Sequence, residues 1–393
     1  MRLQKLFWIA VVFLFQWHTT FGTPLCHSAI DLLVWLTMPP SVRWSLGQQD
    51  GLQKDCWQAT EPDIAFSWEN ELEKCDYRLA TRIFDILATG ETTTLWLPRL
   101  DQEQRLLDPL VQLLNQNADL LGGIKATTSA WPKTPATRIQ ILFPTETTSL
   151  EKSSSSDHEA RSIVSAAIHS TERWVENTLC KMKLCPFTFS LKRAAVGLDM
   201  VGVQEGPIVV RHSGDDDTSS PMTIPPAILL GGAVWHGITE LAETPQDKVA
   251  TLLIVAPPIY DSQFLEFAAV FDNLLEPLIQ ATGAEAIVGR AIFHPHYNSE
   301  QIGHTSVLPG HALPASMVEG FLNKYVENDA EMPDRASIAK ANDAVRWTPH
   351  ATINLLRRSQ LNAAKIPPDK KPNWIYARNV LRILKTGIPS STR

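Results

Sequence analysis

The tetrapeptide His294-Pro295-His296-Tyr297 holds the residues most readily put to acid–base work in this chain. It follows the apolar run Ala286 to Phe293, which reads as a strand buried on both faces. In an open parallel sheet, ligands bind beyond the carboxyl ends of the strands. An imidazole at that point stands where a general acid or base stands, so His294 is the catalytic candidate and Tyr297 a candidate ligand contact. The competing reading is an imidazole that only satisfies backbone groups at the strand end.

A second constellation is expected at Thr348-Pro349. Threonine caps helices and proline is favoured at the first helical position, so a helix opening at Pro349 would offer free amides and a positive dipole end to an anion. Arg357 lies about two turns further on and could fork onto a carboxylate or phosphate. Arg378 and Asn379, near the start of a last short helix (Trp374 to Lys385, stopping at Gly387), are candidates for the same ligand.

Cys185, in Leu184-Cys185-Pro186-Phe187, closes a helix. The negative end of a helix dipole raises a thiol's pKa, so it serves as a nucleophile only if the fold places it beside His294. A metal would need His294 and His296 with His304 or His350 as third nitrogen; Pro295 breaks the alternation that aligns the first two, and no metal is expected. The three aspartates of Asp215 to Ser219 read as a solvated loop. The chain shows no catalytic triad, phosphate-binding glycine loop or dinucleotide fingerprint, and its cofactor is left unassigned.

These residues need a frame. Strand Thr251 to Ala256, a helix with Phe264, Phe267, Phe271, Leu274 and Leu278 on one stripe, and strand Ala286 to Phe293 predict a right-handed parallel βαβ unit. Pro277 should kink the helix's last turn. A short strand is expected at Pro207 to Val210 and helices at Ile228 to Leu241 and Met317 to Tyr325. Another, opened by the capping box Ser156-x-x-Glu159, should end at Pro186. The fold class is therefore α/β: a small, mostly parallel sheet with βαβ units flanked by helices, plus an N-terminal α+β extension. That extension should hold helices at Leu79 to Leu87 and Gln102 to Leu114, and strands at Thr93 to Leu97 and Arg138 to Phe143.

Arg2 and Lys5 precede the apolar run Leu6 to Phe15, which rises only about 15 Å as a helix and falls short of a bilayer core. This reads as a signal sequence over 1–22, with Thr20 and Gly22 placed for a cut before Thr23. The destination is the secretory pathway or secretion, with a complex plastid as the alternative, and no stable anchor remains after cleavage. Residues 23–150 form the extension, 151–156 a Ser-rich linker and 157–393 the α/β core domain. A net charge of −7 excludes a broad nucleic-acid footprint. With 44% hydrophobic and 20% charged residues, the chain is soluble and globular in composition. Five cysteines permit a Cys56–Cys75 bridge, which spacing alone leaves open.

Several of these motifs resemble the uncharacterised bacterial Domain of Unknown Function 1415 family, over roughly Glu159 to Gly387. They are Trp174-Val175-Glu176 leading to Leu184-Cys185-Pro186-Phe187; Ala291-Ile292-Phe293-His294-Pro295 followed by Tyr297; Thr348-Pro349 before Leu355-Leu356-Arg357; and Ala377-Arg378-Asn379 before Gly387. Asn354 stands where the family pattern often has histidine, and the stretch between Tyr297 and Trp347 is longer. The resemblance implies domain limits and candidate positions, not an activity. Two functions are carried forward: an enzyme or binding protein for a small anionic ligand (phosphate or carboxylate), using the strand-end His and a helix N-terminus with Arg; or a non-catalytic interaction or assembly module.

Overall fold

The computed structural model describes residues 64–65, 77–90, 92–98, 104–130, 136–144, 157–214, 224–302, 315–325, 333–364 and 372–387. The signal sequence, Cys26, Cys56, Cys75, the serine linker, the Asp215 to Ser219 loop and His304 lie outside them. In chain order the elements begin with β1 (Ile64–Ala65), α1 (Tyr77–Thr89), β2 (Thr93–Pro98), α2 (Gln104–Gln116), β3 (Lys125–Ala130) and β4 (Ala136–Leu142). Next come α3 (Asp157–Trp174), β5 (Thr188–Ser190), β6 (Arg193–Ala194), β7 (Ile208–His212), α4 (Pro226–Glu243) and β8 (Thr251–Val255). A continuous helical run, α5, comprises Phe264–Ala269, the π segment Val270–Leu275 and Glu276–Ala281. After it stand β9 (Val288–Phe293), α6 (Ser299–Ile302), α7 (Ala315–Tyr325), α8 (Arg335–Ala344), β10 (Thr352–Arg357), α9 (Arg358–Ala363) and α10 (Pro372–Thr386).

The chain divides into two compact units. One comprises the described residues of Thr93–Asp108 and Thr127–Gln140 with β1, and carries a four-stranded sheet ordered β1-β2-β4-β3. The other comprises the described residues of Asn70–Thr92, Pro109–Ala126 and Ile141–Arg393. It therefore includes α1, which was expected in the N-terminal extension. Helix α1 lies so close on α4 that a Cβ at Gly231 would stand 2.0 Å from Phe84 Cε1. Only glycine allows that approach.

The sheet of the second unit is ordered β7-β8-β10-β9 and is mixed. Strands β7 and β8 pair parallel with α4 connecting them, whereas β10 pairs antiparallel with both β8 and β9. This corrects two expectations. The sheet is not the mostly parallel one anticipated: β8 and β9 run the same way without being neighbours. The residues after Pro349 form no helix either, because β10 fills the slot between β8 and β9. Thr348 spends its hydroxyl on the His350 carbonyl at 2.6 Å rather than on a helix amide. Ile353 and Leu355 alternate with Thr352 and Asn354, a strand period that a helix would not use.

Burial explains the rest of the frame. Leu253, Val255, Ala291 and Phe293 meet Trp174 and Val175 at the end of α3 on one face. On the other, Leu252, Ile254 and Leu355 lie against α4 at Gly237. Every residue of β8 is buried, as its unbroken apolar run requires. Pro277 lies within α5, which continues past it to Ala281. Its missing N–H frees the Asn273 carbonyl, which accepts instead from Asn117 Nδ2 at 2.9 Å. Helix α8 was not expected. Asp334 caps it through a 2.9 Å bond from the Ser337 amide, a signal present in the sequence as Asp334-x-x-Ser337. Together α7, α8 and α10 close a second core around Leu184. No helix among the described residues is long and apolar enough to cross a membrane.

Candidate functional site

Three loops meet at one edge of the mixed sheet. They follow β8 (256–263), follow β9 (294–298) and precede β10 (346–351). Because β10 is antiparallel, its beginning lies at the same edge as the carboxyl ends of β8 and β9. A cleft of about 1150 Å³ opens there, lined among others by Asp261, Glu266, His296, Tyr297, Trp347 and Pro349.

His294 holds these loops together and does not face the cleft. It is fully buried, with its ring 5.0 Å from Phe264 and 5.7 Å from Phe267. Its Nδ1 accepts the His296 amide at 2.9 Å, so the ring proton sits on Nε2, which donates to the Tyr260 carbonyl at 2.6 Å. Its own amide donates to the Arg346 carbonyl at 3.0 Å, tying in the third loop. Burial pushes its pKa down and keeps the ring neutral. An imidazole whose two nitrogens are both engaged inside an aromatic core cannot exchange protons with a ligand. The expected general acid/base is a structural staple.

Tyr297 does line the cleft, although only its edge reaches it. Its hydroxyl bonds Arg346 Nη1 at 3.2 Å, and the buried guanidinium stands 4.9 Å over its ring. Its carbonyl accepts from Trp347 Nε1 at 3.0 Å. Pro349 lines the cleft too, from a loop instead of a helix start.

The residue pair best placed for proton transfer was missed. His350 Nδ1 lies 2.7 Å from Asp261 Oδ2, while Asp261 Oδ1 accepts the Ala351 amide at 2.7 Å. Both carboxylate oxygens are engaged, so Asp261 is fixed and holds the imidazole in the tautomer that leaves Nε2 basic. The His350 imidazole has no other hydrogen-bonding partner among the described residues and is partly exposed. The sequence signal for this pair was the Tyr260-Asp261 that follows a strand end, but its partner stands about ninety residues away and no local spacing joins them.

The expected anion-binding arginine is committed elsewhere. The Arg357 guanidinium donates to the carbonyls of Leu241 (2.6 Å), Thr244 (2.5 Å) and Val249 (2.7 Å), tying down the carboxyl end of α4. A cation at a helix C-terminus is favourable there. Among the described residues, neither Arg nor Lys lines the cleft.

Cys185, Arg378 and Asn379 come together away from the cleft lining. Asn379 Nδ2 donates to the Leu184 carbonyl at 2.7 Å, and the Arg378 charge acts on the Cys185 thiol. Burial pushes that thiol's pKa up, against the opposing pull of the Thr188 hydroxyl and nearby amides. Cys185 is neither a cleft residue nor a neighbour of His294, so the nucleophile expectation fails on both counts. No group of three or more metal-ligating side chains exists among the described residues. No family model, curated protein or solved structure matches the chain.

Proposed function

We propose that the protein is an enzyme that binds a small ligand in the cleft at the sheet edge and uses His350 as its general acid/base. The observation that carries this reading is the Asp261–His350 pair, with Asp261 in the cleft wall and the imidazole adjoining Pro349, another wall residue. In this role His350 Nε2 takes a proton from a ligand hydroxyl or amine, and Asp261 steadies the imidazolium that forms. The cleft is slightly larger than common small-molecule pockets. Asp261 and Glu266 line it without an opposing Arg or Lys among the described residues, which favours neutral or cationic ligands over the phosphate or carboxylate first expected. Gln263, Asn298 and Gln301 supply amides for hydroxyl groups, and Trp347 supplies a stacking face.

Kinship with the Domain of Unknown Function 1415 proteins belongs to this proposal, as does entry into the secretory pathway. The former rests on the quoted motifs and the latter on residues 1–22. The alternative of a non-catalytic interaction module draws on Phe189 and Met200, which are 61% and 93% exposed.

A thermal-shift screen of polyols, amides and amines on the full chain tests the reading. Stabilising ligands are expected, with the shifts reduced in Trp347→Ala. Turnover of the best ligand, followed by mass change, should fall about 100-fold or more in His350→Gln. Ligand shifts untouched by Trp347→Ala would move the site elsewhere. Unchanged turnover in His350→Gln would remove the assigned base.

A further inference from the structure

Charge on the wall of the cleft is unevenly answered. Asp261 has both carboxylate oxygens engaged, one on the His350 ring and one on the Ala351 amide. Glu266 lines the same cleft from the first turn of α5, and its carboxylate enters no hydrogen bond or ion pair among the described residues. The lining holds neither Arg nor Lys among the described residues, so no permanent positive charge stands opposite Glu266 there.

The wall beside that carboxylate is apolar. Leu265 lines the cleft while 58% exposed, and Ile259, next to the lining residue Pro258, is 49% exposed. Trp347 packs against the core around Leu184 and holds its Nε1 on the Tyr297 carbonyl at 3.0 Å, so the indole is fixed and the rest of its surface lines the cleft. The Phe264 ring stands 5.3 Å from that of Tyr297. Tyr297 thus joins the first turn of α5 to Trp347, and carboxylate and indole serve one cavity. Consecutive helical residues diverge by about 100°, so Leu265 and Glu266 meet a ligand at different points, one with apolar surface and one with charge.

We propose that the occupant of this cleft is an alkylammonium compound with an apolar body, of which an aryl-alkyl amine is the simplest form. With the cleft taken as the ligand site, the reading on which this assignment rests, Glu266 pairs with the ammonium while Leu265 and Trp347 cover the body. A cation close to the indole face gains further attraction from the ring. An anion would meet Asp261 and Glu266 with no cation to answer it, and a polyol would set hydroxyl groups against Leu265.

Isothermal titration of the full chain at low ionic strength with phenethylamine, phenethyl alcohol and hydrocinnamate tests this, because the three share an aryl-alkyl body and differ in charge. The amine should bind about threefold to tenfold more tightly than the alcohol, and the carboxylate more weakly than either. Glu266→Gln should bring amine and alcohol to within about twofold of each other. Glu285→Gln removes the same charge from the turn before β9, at the opposite edge of the sheet, and should leave the preference intact. Leu265→Ser should weaken amine and alcohol alike, by about threefold or more. Equal binding of amine and alcohol to the wild type, or a preference that survives Glu266→Gln, would overturn the ammonium assignment; the cleft stands as the ligand site if alcohol binding still falls in Trp347→Ala. Binding of none of the three would overturn the assignment as well, and the cleft reading falls with it only if the wider thermal-shift screen is also blank.

Discussion

A histidine at the carboxyl end of a buried strand has two uses: to meet a ligand or to tie the chain. His294 takes the second because three carbonyl and amide partners and two phenylalanine rings close around it. Its replacement by alanine opens a cavity and strands the Tyr260 carbonyl and the His296 amide. His294→Ala is therefore expected to lose about 2–4 kcal/mol in urea unfolding. The pH dependence has a definite sign. Burial holds the folded pKa below the ordinary 6.5, so the unfolded chain takes up the proton first. This contribution to stability is complete above about pH 6.5 and declines as the pH falls toward the lowered folded value. The pH-dependent loss should be absent from His294→Phe; an unchanged slope in that variant would show that another group causes it.

At the scale of elements, periodicity carried the reading where one segment decides its own state. Helix α5 was legible from its phenylalanine stripe, β8 from its apolar run and α10 from its stop at Gly387. Strand β10 was not legible, since Thr348-Pro349 imitates a helix start and the slot that overrides it is built by β8 and β9, far away in sequence. The same strand holds a test. Asn354 lies between Leu253 and Ala291, 9% exposed, with Oδ1 buried and unbonded. Asn354→Val removes an unsatisfied acceptor and adds a β-branched residue to a central strand. It should raise stability by about 1 kcal/mol, read as a higher urea midpoint at constant slope. A lower midpoint would mean that the amide is satisfied in solution by a bound water or ligand.

At the scale of the whole molecule, candidate residues that were grouped by sequence are distributed by the fold over three places. Tyr297 and Pro349 reach the cleft, Arg357 secures the end of α4, and Cys185, Arg378 and Asn379 meet at the turn beside α10. The edge of the sheet was foreseeable from strand direction. The pairing of Asp261 with His350 was not, because it depends on a mixed sheet that returns the chain antiparallel to the same edge. The central claim is that function belongs to His350 and the cleft, with His294 sealed beneath it. Carbethoxylation of the native protein by diethyl pyrocarbonate, mapped by peptide mass spectrometry, tests this most directly. His296 and His350 should be modified in the folded chain and His294 only after unfolding, whereas modification of native His294 with His350 left inert would contradict the account.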